Sequence, residues 1–295
     1  SLGVDYWQNM MDYFRPSYLS SMKESYVSQT IGRSVMLLNE NLISYNATWK
    51  KHKFDILLGQ SIQYDQKDRT IGLAQGGASD YIHYAVSFPE YVIDVDPVTG
   101  AETVRVMQGF QSSMEKKTLV SWFGRLNYVF DNKYLLSVTL RRDGSSTFGE
   151  DVRWGTFPSV SAGWIFSDEH FMENWPWLSF GKLRISYGRS GLHFSQPYLA
   201  LGVYEADAND KFMQQTTLHP VWNDGLYNPS LTWEETDQYD LGLELYFFNR
   251  RLNFVLDYYY RYTDGLLAPV SLSGAGSYNP YKTQWRNAYA ISNQG

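Results

Sequence analysis

The stretch RRDGSSTFGEDVRWGTFPSVSAGW, from Arg141 to Trp164, decides the fold class. It opens on charged residues, passes through Gly and Ser, and ends in alternating small and aromatic side chains. Gly and Ser are typical of sharp turns, and a period of two residues is typical of a β-strand. The stretch therefore predicts a polar loop over Asp143–Arg153 and a strand over Phe157–Phe166.

The same period-two alternation of apolar and polar residues recurs along the chain. About ten strands can be counted, each about as long as the ~9–11 residues of a tilted membrane strand. The clearest are Ile43–Trp49, Phe54–Tyr64, Val120–Phe130, Tyr134–Leu140, Leu183–Tyr187, Tyr239–Leu245 and Leu252–Tyr262. These segments predict an all-β fold in which every strand has one apolar and one polar face.

The connections between these strands alternate in length. The short ones are predicted at Lys50–Lys53, Asp131–Lys133 and Phe248–Arg251. The long polar ones are predicted at about Asp65–Lys117, Asp143–Thr156, Gly188–Thr236 and Asp264–Thr283. One medium link, SDEHFMENWPWLSFG, stands where a short turn is due and could hold a helical turn. Strict alternation places all long loops at one end of the sheet, as in an outer-membrane barrel.

Composition limits the environment and the partners of the chain. It holds 24 Tyr, 16 Phe and 10 Trp. This excess of aromatic residues favours β-sheets, and it also favours boundaries where one side of a ring meets water and the other an apolar phase. Trp49, Trp122, Tyr134 and Trp164 lie near predicted strand ends, where aromatic belts meet the membrane surface. A net charge of −6 argues against a nucleic-acid partner. The absence of Cys excludes disulfides and thiolate sites.

Two architectures fit these patterns, and the solvent of the polar face separates them. In a large antiparallel transmembrane β-barrel, the apolar face meets lipid and the polar face meets the lumen. In a soluble, secreted, carbohydrate-binding β-sandwich or propeller, the apolar faces are buried against each other. The alternation of loop lengths favours the barrel, with short periplasmic turns and long extracellular loops. A cell-surface structural β-protein is a third alternative.

No motif in the sequence predicts catalysis or a cofactor. There is no GxSxG, P-loop or GxGxxG motif, and the histidines lack metal-ligand spacing. Glu234 and Glu235 are adjacent in a strand and point to opposite faces, so they cannot flank one glycosidic bond. The segment Asp94–Gly100 partly matches a calcium loop, but Arg105 stands where Glu should be and Pro97 favours a hairpin turn. We expect no enzyme activity and no cofactor, with calcium as the one alternative.

An ordered series of residues resembles the late barrel of SusC/RagA-type TonB-dependent outer-membrane transporters. The resemblance is specific from Leu119 to Gly295 and looser before that, chiefly through ENLISYNATWKKHKFDILLGQSIQ. It continues through KLRISYG, NPSLTWEETDQYDLGLE, RLNFVLDYYYRYTDGLLAPV and ISNQG. The first matching positions are Phe123, Gly124, Arg125, Asn127, Tyr128, Asp131, Lys133, Tyr134, Leu135, Arg142, Asp143, Gly144, Ser145, Ser146, Phe148, Trp154, Gly155, Phe157, Pro158, Ser159, Ser161 and Trp164.

The resemblance implies an energy-coupled importer in the outer membrane of a Bacteroidota-type bacterium. Such importers take up oligosaccharides or oligopeptides, pair with a SusD-like surface lipoprotein lid, and are coupled to TonB through a plug domain. About ten strands are too few for the roughly 22-strand barrel of these transporters. We therefore expect residues 1–295 to be a fragment of one barrel domain, without the plug.

Two sets of residues are candidate sites. The first is expected to face the lumen, where it would contact the plug or the substrate: Arg125, Asn127, Arg184, Asp240, Glu244, Asp257 and Arg261. The second lies in predicted extracellular loops, where its aromatic members would stack on sugar rings, pack the loop or contact a partner protein. It comprises Asp143, Ser145, Ser146, Trp222, Tyr227 and Trp233.

Overall fold

Strands account for most of the regular structure. The computed structural model describes residues 1–19, 24–85, 88–194, 198–200, 203–212, 215–221, 228–271 and 283–295. The strands are β1 Leu2–Arg15, β2 Tyr26–Trp49, β3 His52–Gln75, β4 Tyr91–Val95, β5 Glu102–Val106, β6 Gln108–Phe130, β7 Tyr134–Ser145, β8 Trp154–Ile165, β9 Leu178–Leu192, β10 Val203–Phe212, β11 Gln215–Val221, β12 Glu234–Phe247, β13 Leu252–Ser271 and β14 Thr283–Gln294.

Ten of these strands form one sheet, in the order β1-β2-β3-β6-β7-β8-β9-β12-β13-β14. The pairs from β6 to β14 are antiparallel. β4 pairs with β5 and β10 with β11 as separate hairpins. Among the described residues, no helix has the length and hydropathy of a membrane span. The predicted all-β antiparallel fold is confirmed.

The short connections lie where the sequence predicts them. Lys50 and Lys51 link β2 to β3, Asp131–Lys133 links β6 to β7, and Phe248–Arg251 links β12 to β13. Several of their residues have a positive φ, for example 52° at Lys50 and 57° at Asn132. This left-handed conformation closes tight turns, and Asn and Asp adopt it more readily than other non-Gly residues. The medium link holds 3-10 turns at Phe166–Asp168 and His170–Met172, as predicted.

The long connections contain more strand than predicted. The predicted loop Asp65–Lys117 instead contains the end of β3, the β4–β5 hairpin and the start of β6. β7 runs on to Ser145, β10 and β11 lie within Gly188–Thr236, and β13 continues to Ser271. β4 and β5 have only five residues each, too few to show a clear period-two pattern. β7 continues through Asp143 and Gly144, residue types that are typical of turns.

Contacts divide the chain into two compact units, each described by itself. The first comprises Ser1, residues 39–63 and residues 117–295. Its strands are in a register that aligns like residues in rows: Asn127 pairs with Ser137, Ser137 with Ser161, and Ser161 with Ser186. The next row, on the opposite face, contains Tyr128, Leu136, Ala162, Ile185, Leu241 and Tyr258. The predicted polar and apolar faces are therefore confirmed.

The apolar face of the first unit is widely exposed. Leu140 is 55% exposed, Ile185 58% and Leu256 56%. On β12 the alternate residues from Tyr239 to Phe247 are all apolar or aromatic. The eight residue steps from Tyr239 to Phe247 span roughly 26 Å of strand, or roughly 20 Å of height at a tilt of about 40°, close to the ~25 Å band of a membrane barrel. Such a surface requires an apolar environment.

The second unit comprises residues 2–38 and 64–116. Its small core joins Val27, Ala74 and Phe88, with Phe14 packed against it. Arg105 donates from two nitrogens to the carboxylate of Glu24, at 2.7 Å each, and a further nitrogen contacts Asp94 at 3.0 Å. The contact with Asp94 lies within the β4–β5 hairpin, and the contact with Glu24 joins the hairpin to the segment before β2.

Candidate functional site

The polar face of the first unit carries a network of hydrogen bonds across β3, β6 and β7. Asn127 donates to Asp55 at 3.2 Å and accepts a hydrogen bond from the Ser137 hydroxyl at 2.7 Å. Asp55 belongs to β3, Asn127 to β6 and Ser137 to β7. The three side chains share a face because period-two alternation and register align them. The network fixes the orientation of the Asn127 amide.

Charged residues form a second group on β9, β12 and β13. Arg184 makes an ion pair with Asp257 at 2.5 Å and a longer one with Glu244 at 3.6 Å. Gly242 lies directly between Arg184 and Asp257 in the register. A Cβ there would lie 2.2 Å from the Arg184 Nε, so glycine leaves the space in which the guanidinium crosses β12. These side chains are about half exposed, and the pair therefore contributes little to stability.

A third group lies one row away. Ser186 donates to Asp240 at 2.9 Å, Gln238 donates to the other Asp240 oxygen at 2.9 Å, and Arg261 donates to Gln238. A hollow of about 650 Å³ is lined by members of all three groups, including Asn127, Ser137, Arg184, Ser186 and Asp240, and also by Tyr259. Its lining combines hydroxyls, an amide and both signs of charge with two tyrosines and apolar residues such as Leu136 and Ile185. It could hold a polar ligand or a polar protein segment.

All seven residues predicted to face the lumen lie on this polar face, according to the strand registers. Six of them enter the hydrogen bonds and ion pairs above, and Arg125 is exposed beside them. Their contact with a plug or a substrate stays a prediction. Sequence reasoning did not select their partners Asp55, Ser137, Ser186 and Gln238 as site residues. Alternation alone places these partners on the face, but nothing in their local sequence indicates their contacts.

The outer ends of several strands are joined by a buried aromatic cluster. Trp233 is 4% exposed, and its ring centre lies 5.0 Å from that of Phe148 and 5.3 Å from that of Phe157. The Trp233 indole donates to the Arg153 carbonyl at 3.1 Å. The Phe157 ring lies where a Cβ on Gly191 would come within 2.1 Å, so the glycine permits this packing. The cluster fixes the loop after β7 to the segment before β12.

The six predicted loop-contact residues fall into three groups. Asp143, Ser145 and Trp233 are buried and engaged within the chain: Asp143 binds Arg141, and Ser145 shares a hydrogen bond with Thr147. Ser146 is exposed, although its hydroxyl accepts a hydrogen bond from the Thr118 amide at 2.9 Å. Trp222 and Tyr227 lie outside the described residues. The structure thus gives the three buried residues an internal packing role, and contact with a partner stays a prediction.

The partial calcium motif forms the turn of the β4–β5 hairpin. The Asp96 carboxylate accepts hydrogen bonds from the backbone amides of Val98 at 2.8 Å and Thr99 at 3.0 Å. These bonds, first from Thr99 and then from Val98, lower the pKa of Asp96. Within the described ranges, no group of three or more acidic or histidine side chains could hold a metal ion. Calcium binding at this turn stays a prediction.

Comparison with known proteins places this arrangement in a family. Residues 4–295 match the model of the TonB dependent receptor-like β-barrel. The chain belongs to that family. Membership favours the membrane barrel over a soluble sandwich or propeller, and it confirms the resemblance seen in the sequence.

Relatives of this TonB dependent receptor-like barrel are several times longer. TonB-dependent receptor P26 of Formosa agariphila is 35% identical over 87% of this chain and 24% of its own length. TonB-dependent receptor SusC of Bacteroides thetaiotaomicron is 37% identical over 61% of this chain and 18% of its own. The RagAB peptide transporter superposes with a TM-score of 0.82 at 23% identity, covering all of this chain and 31% of that one. The chain therefore spans about a quarter of the length of its relatives.

Family membership assigns a solvent to each face of the TonB dependent receptor-like barrel. The chain is a segment of an outer-membrane barrel, so the exposed apolar face meets lipid and the polar face is the inner one. The short turns then lie at the periplasmic end, and the cluster around Trp233 lies at the extracellular end.

At the periplasmic end, Glu169 links three side chains. Its carboxylate accepts hydrogen bonds from the Tyr134 hydroxyl at 2.6 Å, the Trp164 indole at 3.3 Å and the Lys133 ammonium at 3.3 Å. These bonds, with that from Tyr134 the strongest, lower the pKa of Glu169. Glu169 thereby holds the link after β8 against the turn between β6 and β7.

Acid is expected to weaken this link, and replacing Glu169 by Gln is expected to remove the pH dependence. The pKa of Glu169 is lower in the folded protein than in the unfolded chain, so the ionised carboxylate stabilises the fold. This stabilisation is fully present above the pKa of the unfolded chain, and it is lost as the pH falls through the lower pKa of the folded protein. Thermal unfolding of the detergent-extracted protein across that acidic range measures the effect. Glu173→Gln is the control, since Glu173 is exposed and pairs with His170. Equal pH dependence in wild type and Glu169→Gln would contradict the assignment.

Proposed function

We propose that the protein carrying this chain is a TonB-dependent outer-membrane importer of oligosaccharides or oligopeptides that works with a SusD-like lipoprotein lid. The observation that carries the proposal is the family match over residues 4–295. Two related proteins add support, since one is named TonB-dependent receptor SusC and another is described as a peptide importer. No bond of the substrate is broken in this function, because the work is conformational.

The inner face supports a polar substrate. The hollow lined by Asn127, Arg184, Asp240 and Tyr259 offers donors, acceptors and a ring. Hydroxyl-rich sugars and peptide backbones both use such groups, and an aromatic ring can stack on a sugar. In the proposed importer this wall contacts either the plug or the passing substrate.

Purification of the intact protein from its own outer membrane tests the proposal. We expect a surface lipoprotein to co-purify in near-equal amount, and we expect deletion of the gene to abolish uptake of one oligosaccharide or oligopeptide class. Uptake is measured with labelled oligosaccharides and labelled oligopeptides in parallel, with and without an active TonB system. If no lipoprotein co-purifies but TonB-dependent uptake is lost, a receptor without a lid is the correct function. If uptake of every probe survives deletion, the import proposal is wrong.

A further inference from the structure

Two adjacent arginines on β7 have opposite surroundings. Arg141 faces the inner side, where it donates to both Asp143 oxygens, at 2.8 and 2.7 Å, and to Ser121 at 3.0 Å. Arg142 is directly opposite Trp122 of β6, on the face that meets lipid. Successive residues of a strand point to opposite faces, so the two cations serve different environments.

Arg142 is held in position without a counter-charge. Its guanidinium carbon lies 5.4 Å from the centre of the Trp154 ring. That ring lies flat on Gly144, where a Cβ would come within 2.8 Å of it, so glycine is needed for this placement. Within the part of the chain that the structure describes, Arg142 makes no ion pair and no hydrogen bond. The cation is exposed, yet its aromatic neighbour restricts where it points.

Arg189, on the same face, is an arginine whose charge is balanced by carboxylates of the chain. Arg189 makes two hydrogen bonds to Asp237, at 2.8 Å each, and an ion pair with Glu235 at 3.0 Å. Two carboxylates therefore offset the charge of Arg189. The contrast leaves Arg142 available for an anion from outside the chain.

The surface next to Arg142, on the side away from the loops, is mostly apolar, although Glu40 and Gln60 also line it. Leu140 is 55% exposed and Leu58 is also 55% exposed, and Gly124 between them has no side chain to fill the space. This shallow surface is continuous with the lipid-facing band. Arg142 marks the end of that band, where charges on a barrel are tolerated because lipid headgroups begin.

We propose that Arg142, with Trp154 and Trp122, binds the phosphate of an anionic membrane lipid whose acyl chain lies along Leu140 and Leu58. A guanidinium presents several N–H donors in the plane that phosphate oxygens require. Trp side chains favour the same depth, at the boundary between headgroups and hydrocarbon. The proposal depends on the membrane location of the barrel and not on the substrate imported.

Lipid retention by the intact detergent-extracted protein tests this site. Wild type, Arg142→Gln and Arg141→Gln are incubated with phosphatidylglycerol or with zwitterionic phosphatidylcholine, and bound lipid is counted by native mass spectrometry. We expect wild type and Arg141→Gln to retain phosphatidylglycerol preferentially. We expect Arg142→Gln to lose about five-fold in that preference, the effect of one cation near an anionic surface.

Equal retention of the two lipids by wild type, or unchanged retention by Arg142→Gln, would overturn the proposal. If Arg142→Gln does not reach the membrane, Trp154→Leu replaces it, and a weaker but clear loss of phosphatidylglycerol is expected. A loss confined to Arg141→Gln would also contradict the site. Uptake assays test the proposed function independently. A variant that loses lipid binding but still imports substrate would leave the proposed function unchanged.

Discussion

Replacing Trp233 by Ala is expected to lower the free energy of unfolding by about 3–5 kcal/mol, the usual cost of removing a buried aromatic side chain. Trp233 is 4% exposed and contacts both Phe148 and Phe157. The variant also loses the indole donor to the Arg153 carbonyl. The loss should concentrate at the extracellular end, because the ring fixes two loops there.

Two measurements check this expectation. Thermal unfolding in detergent, followed by the heat-dependent change in gel mobility, reports global stability. Protease cutting near Glu150–Arg153 reports local opening of the loop, which should accelerate in Trp233→Ala. The control is Trp175→Ala, since Trp175 is 46% exposed and lies in the link between β8 and β9, at the periplasmic end. If both variants unfold at the same temperature and are cut at the same rate, the cluster does not fix the loops.

Replacing Val138 by Arg is expected to cost about 2–4 kcal/mol in a bilayer, the cost of a cation on the lipid face near the midplane of a barrel. Val138 lies midway along β7 between Tyr134 and Arg142. It is 39% exposed, and its neighbours in register are Leu126 and Val160. No counter-charge lies beside it in this row.

The adjacent residue provides a matched control. Thr139 points to the inner, polar face, where Arg125 lies opposite on β6 and Ser159 on β8. We expect Thr139→Glu, which places a charge of opposite sign across from Arg125, to leave the amount of folded protein in the outer membrane nearly unchanged, and Val138→Arg to reduce it sharply. Refolding into lipid vesicles, titrated with urea, gives the two free energies. If the two substitutions lower the free energy of unfolding equally, both faces of β7 meet the same solvent and the assignment is wrong.

Much of this architecture follows from local sequence. Alternation along β7, β8, β9 and β12 assigns each residue to a face, because a strand has a period of two. Residues such as Asn132 mark tight turns, because they tolerate a positive φ. The same reasoning missed β4, β5, β10 and β11. β4 and β5 have five residues each, too few to show a clear period-two pattern.

By itself, the sequence determined the strand faces, the short turns and the family, since each depends on the order of nearby residues. Only the tertiary structure decided which side chains meet. Arg184 reaches Asp257 across Gly242. Trp233 is buried against Phe148, which lies 85 positions earlier in the sequence. Such contacts depend on strand register and loop packing, which join residues that no local pattern relates. For the same reason, Arg141 and Arg142 look alike in sequence, yet one is neutralised by Asp143 and the other faces lipid.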